Sequence, residues 1–226
     1  MKILYLETSS KNCSVAVSDD EKLLCLCEEV SENYKQSESL HTYVEWALEG
    51  AGISLRDIEA VSLGKGPGSY TGLRIGASSA KGFCYGLKVP LIAVNSLESM
   101  IGPFLGANYD FVVPLIDARR MEVYTAVYDG NTGKELSATE AKILDETSFE
   151  EFKDKKVVFV GDGAKKAKDI LNLPDAVFKE DIYPSAQHLI KKTLEKIQDG
   201  EFEDMAYFEP FYLKDFHGVK KKKSEE

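Results

Sequence analysis

Residues 64–84 read GKGPGSYTGLRIGASSAKGFC, and this glycine-rich stretch decides the fold that the chain is expected to adopt. Gly66 and Gly68 permit positive φ angles and close backbone approach, as a tight loop requires. Thr71 is a good N-cap for a helix that begins at the next residue. Small residues recur at every fourth position of that helix, so one of its faces should be nearly flat: Gly72, Gly76, Ala80 and Cys84.

The loop itself allows three interpretations. Free N–H groups that run into a helix N-terminus form a ready anion site. The stretch is not a Walker loop, because Lys65 sits among the glycines instead of preceding a Ser or Thr at the helix start. From these residues alone, the loop serves catalysis, ligand binding or packing.

The composition is that of a globular protein with a substantial core. The chain has 226 residues, of which 43% are hydrophobic and 29% are charged, and this suits one large domain or two small ones. No apolar run approaches the ~20 residues that span a bilayer, and the N-terminal apolar segment is too short for a signal peptide. The four cysteines form no C-x-x-C pair. We therefore expect reduced thiols in a cytoplasmic protein without membrane contact.

The chain is acidic, with 28 Lys and Arg against 38 Asp and Glu, which gives a net charge of −10. An acidic protein repels a phosphate backbone and gains little from counterion release. Any nucleic acid is therefore expected to contact this chain only indirectly. The one basic run, Lys220 to Lys223, is expected to lie in a frayed tail.

Apolar periodicity predicts five strands and two helices in the first half: strands at 2–7, 13–19, 23–30, 60–63 and 90–94, and helices at 38–50 and 72–87. The first three strands are joined by short turns and should be antiparallel, whereas the later ones alternate with helices and should be parallel. Trp46 lies off the apolar stripe of the first helix, which is typical of an interface anchor.

The same pattern repeats loosely in the second half: strands at 111–117, 121–128, 134–144 and 156–160, and helices opened by the capping box 147–150, by 161–164 and by Ser185. The expected fold is therefore α/β, with two related subdomains whose mixed sheets are flanked by helices. We place an N-terminal subdomain at 1–106, a C-terminal subdomain at 107–205 and, at 206–226, an aromatic tail that packs back onto the body before a frayed basic end.

Five motifs, in this order along the chain, resemble the TsaB family, also called YeaZ: ETS at 7–9, GPGSYTGLRIG at 66–76, AKG at 80–82, VNSL at 94–97 and DAR at 117–119. The resemblance implies the actin/Hsp70/sugar-kinase-like (ASKHA) fold. It also implies a non-catalytic subunit, a scaffold and activator of the homologous transferase TsaD, which moves threonylcarbamoyl to the tRNA adenosine beside the anticodon.

The resemblance further implies three protein partners: a TsaD-type transferase, a TsaE-type ATPase and a second copy of this chain. The tRNA would be reached only indirectly, and one helical face would dock both TsaD and the second copy. Together with the flat face of the second helix, this predicts a set of partner-binding residues: His41, Trp46, Tyr70, Thr71, Gly72, Arg74, Gly76 and Ala80.

No active site of the transferase kind is expected. In the catalytic relative, two histidines spaced H-x-x-x-H follow the asparagine that ends the fifth strand, and together they meet one metal. Asn95 matches that asparagine, but Ser96 and Met100 take the histidine positions. Ser69 stands in GPGSY, which is not the G-x-S-x-G pattern of a serine nucleophile. We therefore expect no catalytic residue, no metal and no cofactor.

Nucleotide binding stays open. In the ASKHA fold two hairpin turns hold the phosphates, and four residues are candidate remnants of such a site: Thr8, Ser9, Asp117 and Arg119. Arg119 would contact a phosphate or pair with a local carboxylate such as Asp117 or Glu122. A nucleotide is expected only within an assembled complex. The alternative function is an independent ATP-binding small-molecule kinase or ATPase of the same fold.

Overall fold

The computed structural model describes residues 1–31 and 36–214, which form two five-stranded sheets. The first sheet contains β1 (Lys2–Glu7), β2 (Asn12–Asp19), β3 (Lys22–Val30), β4 (Ala60–Gly64) and β5 (Leu91–Val94). The second contains β6 (Phe111–Asp117), β7 (Glu122–Asp129), β8 (Glu135–Ile143), β9 (Val157–Val160) and β10 (Val177–Lys179). The α-helices in this part of the chain are α1 (Gln36–Ala51), α2 (Tyr70–Leu87), α3 (Glu98–Ile101), α4 (Ala164–Ile170) and α5 (Ile190–Gln198).

The two sheets share one topology. Their strand orders are β3-β2-β1-β4-β5 and β8-β7-β6-β9-β10, and in each an antiparallel meander is extended by two parallel strands. The predicted ASKHA fold of two related subdomains is therefore confirmed. Only β10 is missing from the predicted strands, because three residues that follow Pro174 and Asp175 are too few to show alternation.

The helices are distributed over both faces of the sheets. α1 and α2 cover one face of the first sheet, where their apolar side chains join those of β1, β2 and β4: Leu4, Leu6, Val15, Leu40, Val44, Val61 and Ala77. The opposite face is covered by the 3₁₀ turn Ala186–Leu189 and by α5. α3 packs against the second sheet instead, with Met100 and Ile101 in the same core as Tyr128.

The predicted subdomain boundary at 106/107 separates the two sheets but does not separate the packing. α3 precedes this boundary and lies in the core of the second sheet. α5 follows it and covers the first sheet, where Thr193 Oγ1 and Ser62 Oγ are 2.6 Å apart. Each sheet is therefore covered in part by a helix from the other half of the chain.

Three predicted helix starts differ from the structure. α2 begins at Tyr70, two residues earlier than expected, because Ser69 and not Thr71 is the N-cap, and Ser69 Oγ accepts from Gly72 N at 3.3 Å. The capping box at 147–150 does not form, since Asp145 Oδ1 accepts from Thr147 and a 3₁₀ turn follows. Ser185 Oγ donates to Glu28 Oε2 at 2.6 Å and makes no capping hydrogen bond. The segment after it is a 3₁₀ turn, Ala186–Leu189, and α5 begins only at Ile190.

The C-terminal aromatic segment packs back onto the body as predicted. Phe208 is buried in the core beneath α1 and α2, and Phe211 N donates to Lys65 O at 2.8 Å. Tyr212 lies 5.1 Å from the Tyr70 ring between centroids. The predicted frayed basic run, Lys220 to Lys223, lies outside the described residues.

The small-residue face of α2 is internal, so the expectation that it is offered to a partner is wrong. Gly72, Gly76 and Ala80 are buried within the chain itself. A Cβ on Gly72 would lie 2.0 Å from Thr8 O, and one on Gly76 would lie 2.4 Å from Thr8 Oγ1. The missing side chains let α2 approach the end of β1, where Thr8 Oγ1 donates to Gly72 O at 2.7 Å.

We predict that Gly76→Ala destabilises the chain by about 1–3 kcal/mol, the usual cost of overpacking. Gly82→Ala is the matched control, because a Cβ there meets no atom within 4 Å. In a helix interior that change should stabilise by about 0.5–1 kcal/mol. Urea unfolding of both variants measures the difference, and a Gly76→Ala protein as stable as Gly82→Ala would contradict the close packing.

Candidate functional site

A buried carboxylate lies at the centre of the region where the motifs meet. Glu7, the last residue of β1, has no solvent exposure. Its Oε1 accepts from Ser9 N at 2.7 Å, and its Oε2 accepts from Ser96 Oγ at 3.0 Å. Burial raises the pKa of the Glu7 carboxyl, and these hydrogen bonds oppose part of that rise. Gly64 makes room for the group, since a Cβ there would lie 1.9 Å from Glu7 Oε2.

Backbone groups of the glycine loop form hydrogen bonds within the chain. Gly66 N donates to Ser96 Oγ at 3.1 Å, and Gly66 O accepts from Ser96 N at 2.9 Å. Ser69 N donates to Ser9 O at 2.6 Å. A Cβ on Gly68 would lie 2.2 Å from that same carbonyl oxygen. Of the three interpretations, packing is therefore the one that these contacts support.

The first hairpin turn does not offer its hydroxyls to a ligand. Thr8 is fully buried and Ser9 is 1% exposed. Thr8 Oγ1 is committed to α2, and the backbone of Ser9 is committed to Glu7 and the glycine loop. Thr8 and Ser9 were expected to be remnants of a phosphate site. The structure does not place them where a phosphate could reach them, because both are buried against the glycines of the loop and of α2.

The second hairpin turn, between β6 and β7, is exposed and carries positive charge. Arg119 and Arg120 adopt φ angles of 68° and 53°, in the left-handed region. Asp117 Oδ1 accepts from Arg119 N at 2.6 Å and from Lys166 Nζ at 2.7 Å. Lys166 also donates to Arg120 O and to Glu122 O, so it fixes the whole turn. Of the two alternatives for Arg119, pairing with a local carboxylate does not occur among the described residues, because Asp117 pairs with Lys166 and Glu122 with Lys214.

Residues 161–164 lead from β9 into α4 and contact this turn. Asp162 Oδ1 accepts from Asp117 N at 2.8 Å, and burial raises the pKa of the Asp162 carboxyl. Gly161 is packed on β6, since a Cβ there would lie 2.2 Å from Leu115 O. The Gly-Asp-Gly motif thus joins two strand ends. Sequence reasoning missed Lys166 entirely, because a lysine in a helix gives no signal of a buried contact.

The two positions at which a catalytic relative would carry histidines are closed. Ser96 is fully buried and Met100 is 1% exposed. Ser96 Oγ serves Glu7 and the glycine loop, and Met100 lies in the core of the second sheet. Within residues 1–31 and 36–214, no group of three His, Cys, Asp or Glu is placed to hold a metal ion.

The predicted partner-binding residues separate into two groups. Gly72, Gly76 and Ala80 are internal, as described above. His41, Trp46, Thr71 and Arg74 are exposed, whereas Tyr70 is half-buried beneath the Arg74 guanidinium at 4.6 Å. α1 and α2 are joined at His41, whose Nε2 lies 3.2 Å from Ser79 Oγ.

The exposed side of α2, on the face opposite the core, combines small residues with two large ones: Thr71, Arg74, Ser78, Gly82, Tyr85 and Gly86. Thr71 and Arg74 were predicted from the sequence, whereas the other four were not. Tyr85 is 78% exposed, and Trp46 on α1 is 55% exposed. The apolar register of Leu73, Ala77 and Cys84 marks the buried face and would have distinguished the two faces.

None of the helices within the described residues combines the length and the apolar character that crossing a membrane requires.

Comparison with known proteins points to one family. A family model described as TsaD, tRNA N6-adenosine threonylcarbamoyltransferase, matches residues 28–215. The chain is 31% identical over 221 residues to the tRNA threonylcarbamoyladenosine biosynthesis protein TsaB of Escherichia coli (strain K12), covering 95% of each. It is 29% identical to TsaB of Bacillus subtilis (strain 168), over 76% of this chain and 75% of that one. YeaZ from Pseudomonas aeruginosa has a TM-score of 0.80 at 23% identity, over 94% of this chain and 100% of its own.

The buried carboxyl gives a pH prediction. Because the pKa of Glu7 is raised in the folded state, the unfolded chain loses this proton first as the pH rises above about 4.3, the ordinary glutamate value. The free energy of unfolding should therefore fall between that pH and the raised pKa. Glu7→Gln lacks the proton, so its stability relative to the native sequence should rise through the same window.

Urea unfolding across about pH 4.5 to 8 measures this difference. Glu21→Gln, an exposed position in the β2–β3 turn, controls for general loss of negative charge. A difference between Glu7→Gln and the native chain that stays constant with pH would show that Glu7 does not titrate as a buried group.

Proposed function

Because the chain belongs to the TsaB family of tRNA threonylcarbamoyladenosine biosynthesis proteins, we propose that it acts in that biosynthesis as a non-catalytic subunit of a TsaD-type transferase. In this role it is a scaffold and activator, and it works with a TsaE-type ATPase. Its target is the tRNA adenosine beside the anticodon, on which the TsaD-type partner carries out the transfer.

One observation carries the proposal: the exposed face of α2 has glycines beside open space. Among the residues that the structure describes, a Cβ on Gly82 or Gly86 would meet no atom within 4 Å. Each helical glycine costs about 0.5–1 kcal/mol relative to alanine, and no internal packing offsets that cost here. A second backbone that lies against α2 would use the space.

The side chains around these glycines suit a protein interface. Trp46 and Tyr85 are large and exposed, and aromatic residues of this kind are enriched at interface hot spots. Arg74 lies at the N-terminal end of the same face. We define this docking face as His41, Trp46, Arg74, Ser78, Gly82, Tyr85 and Gly86. In our proposal the TsaD-type partner and a second copy of the chain compete for it.

The proposed non-catalytic role is supported by the buried residues. Ser96 stands where a catalytic relative would carry a histidine, and its Oγ donates to Glu7, while Thr8 Oγ1 donates to the backbone of α2. The runner-up function, an independent ATP-binding kinase or ATPase, is weakened by the burial of Thr8 and Ser9. Titration calorimetry with ATP and magnesium separates the two, and micromolar binding with turnover would favour the runner-up.

We predict that Gly82→Arg weakens binding to the TsaD-type partner by at least about 30-fold, the size of a hot-spot change, because the arginine would fill the space left for a backbone. Gln198→Arg adds the same charge at an exposed position of α5, on the opposite side of the first sheet, and should leave affinity unchanged.

Calorimetry or co-purification of each variant with the partner measures the effect, and circular dichroism shows that both remain folded. Transfer to tRNA should require the partner and should fall with complex formation. Equal affinities for Gly82→Arg and Gln198→Arg would place the interface elsewhere. Transfer by this chain alone would overturn the non-catalytic role.

A further inference from the structure

We infer that the turn between β6 and β7 contacts the phosphate backbone of RNA through Arg119 and Arg120, an inference that rests on the proposed function in tRNA modification. The contact is a local anchoring point of one or two phosphates on an otherwise acidic protein. It lies between β6 and β7 of the second sheet, whereas the docking face lies on α1 and α2.

The two arginines are available because nearby carboxylates are already neutralised. Asp117 pairs with Lys166 at 2.7 Å, and Glu122 pairs with Lys214. Among the residues that the structure describes, neither Arg119 nor Arg120 has a carboxylate partner, and both are exposed. Asp162, whose Oδ1 accepts from Asp117 N, is a third carboxyl group at this turn. Four cations therefore lie near three carboxyl groups, which leaves a small local surplus of positive charge on a chain of net charge −10.

The backbone of the turn is held in shape independently of the arginine side chains. Lys166, which is 15% exposed, donates to Asp117, to Arg120 O and to Glu122 O. Both arginines occupy the left-handed region, where a glycine would fit at lower cost. A preformed turn that presents two guanidinium groups loses little entropy on binding, and guanidinium groups bind phosphate oxygens in bidentate fashion.

RNA fits this arrangement better than a free nucleotide does. A nucleotide held between the subdomains would need donors from both hairpin turns, but Thr8 and Ser9 of the first turn are buried. An RNA strand needs only successive phosphates at one exposed turn. Repulsion from the remaining acidic surface keeps the contact local.

The experiment uses this chain in complex with its TsaD-type partner and an unmodified tRNA transcript as the probe. Arg119→Gln/Arg120→Gln is compared with Lys153→Gln/Lys155→Gln, which removes the same charge from exposed positions near the opposite end of the second sheet. Anisotropy titrations are run from about 50 to 200 mM salt, the range over which phosphate contacts show their salt dependence. Arg119→Lys/Arg120→Lys serves as the charge-preserving rescue.

For the glutamine pair we expect Kd to rise about 3- to 10-fold and the slope of log K against log salt to shrink by about one to two, one for each lost phosphate contact. The Lys153→Gln/Lys155→Gln pair should change Kd less than about twofold. The lysine rescue should restore the salt slope and part of the affinity, because an ammonium group keeps the charge but not the bidentate hydrogen bonds. Equal losses in both glutamine pairs, or no loss in either, would overturn the inference.

Two further outcomes are informative. Micromolar competition by ATP that depends on Arg119 and Arg120, without any change in tRNA affinity, would assign the turn to a nucleotide and reject the RNA contact. If no complex with the TsaD-type partner forms, the proposed function fails. The same variants are then titrated with tRNA as the isolated chain, where the salt slope tests the turn by itself.

Discussion

The close contact between the end of β1 and a backbone lined with glycine is the constraint on which the rest of the structure depends. Gly64, Gly68, Gly72 and Gly76 each leave the space of one Cβ, and that space is filled by the carboxylate of Glu7 or by atoms of Thr8 and Ser9. As a result, β4, the glycine loop and α2 all pack closely against the end of β1. A side chain at Gly68 or Gly72 would clash with a backbone carbonyl, which no rotamer change could relieve. At Gly64 and Gly76 the clash would be with side-chain atoms of Glu7 and Thr8.

This contact also supports the proposed non-catalytic role. In a phosphate-binding turn, hydroxyls and backbone N–H groups face a ligand. Here the turn after β1 faces the helix and the buried carboxylate of Glu7, and Ser96 completes the arrangement with hydrogen bonds in both directions. The polar side chains of Glu7, Thr8 and Ser96 therefore stabilise the packing of the chain. The exposed surfaces, above all the glycine-containing side of α2, carry the features that an interaction with another macromolecule requires.

Much of the fold followed from the sequence, because apolar periodicity and turn residues report on local structure. The two meanders, the crossover helices and the packing of Phe208 onto the body were all predicted. The orientation of α2 was not, since glycines at i, i+4 spacing occur on both of its sides and the prediction followed the glycines instead of the apolar register of Leu73 and Ala77. Lys166 was likewise invisible, because its role depends on a turn 46 residues earlier in the chain.

Hydrogen–deuterium exchange of the chain with and without its TsaD-type partner tests the central claim most directly. Amides of α1 and α2 should gain protection on complex formation, because the partner would cover the docking face and suppress local opening of both helices. The amides of β1 and of the glycine loop should change little, since internal hydrogen bonds already protect them. Protection confined to the second sheet, with α1 and α2 unchanged, would contradict the account.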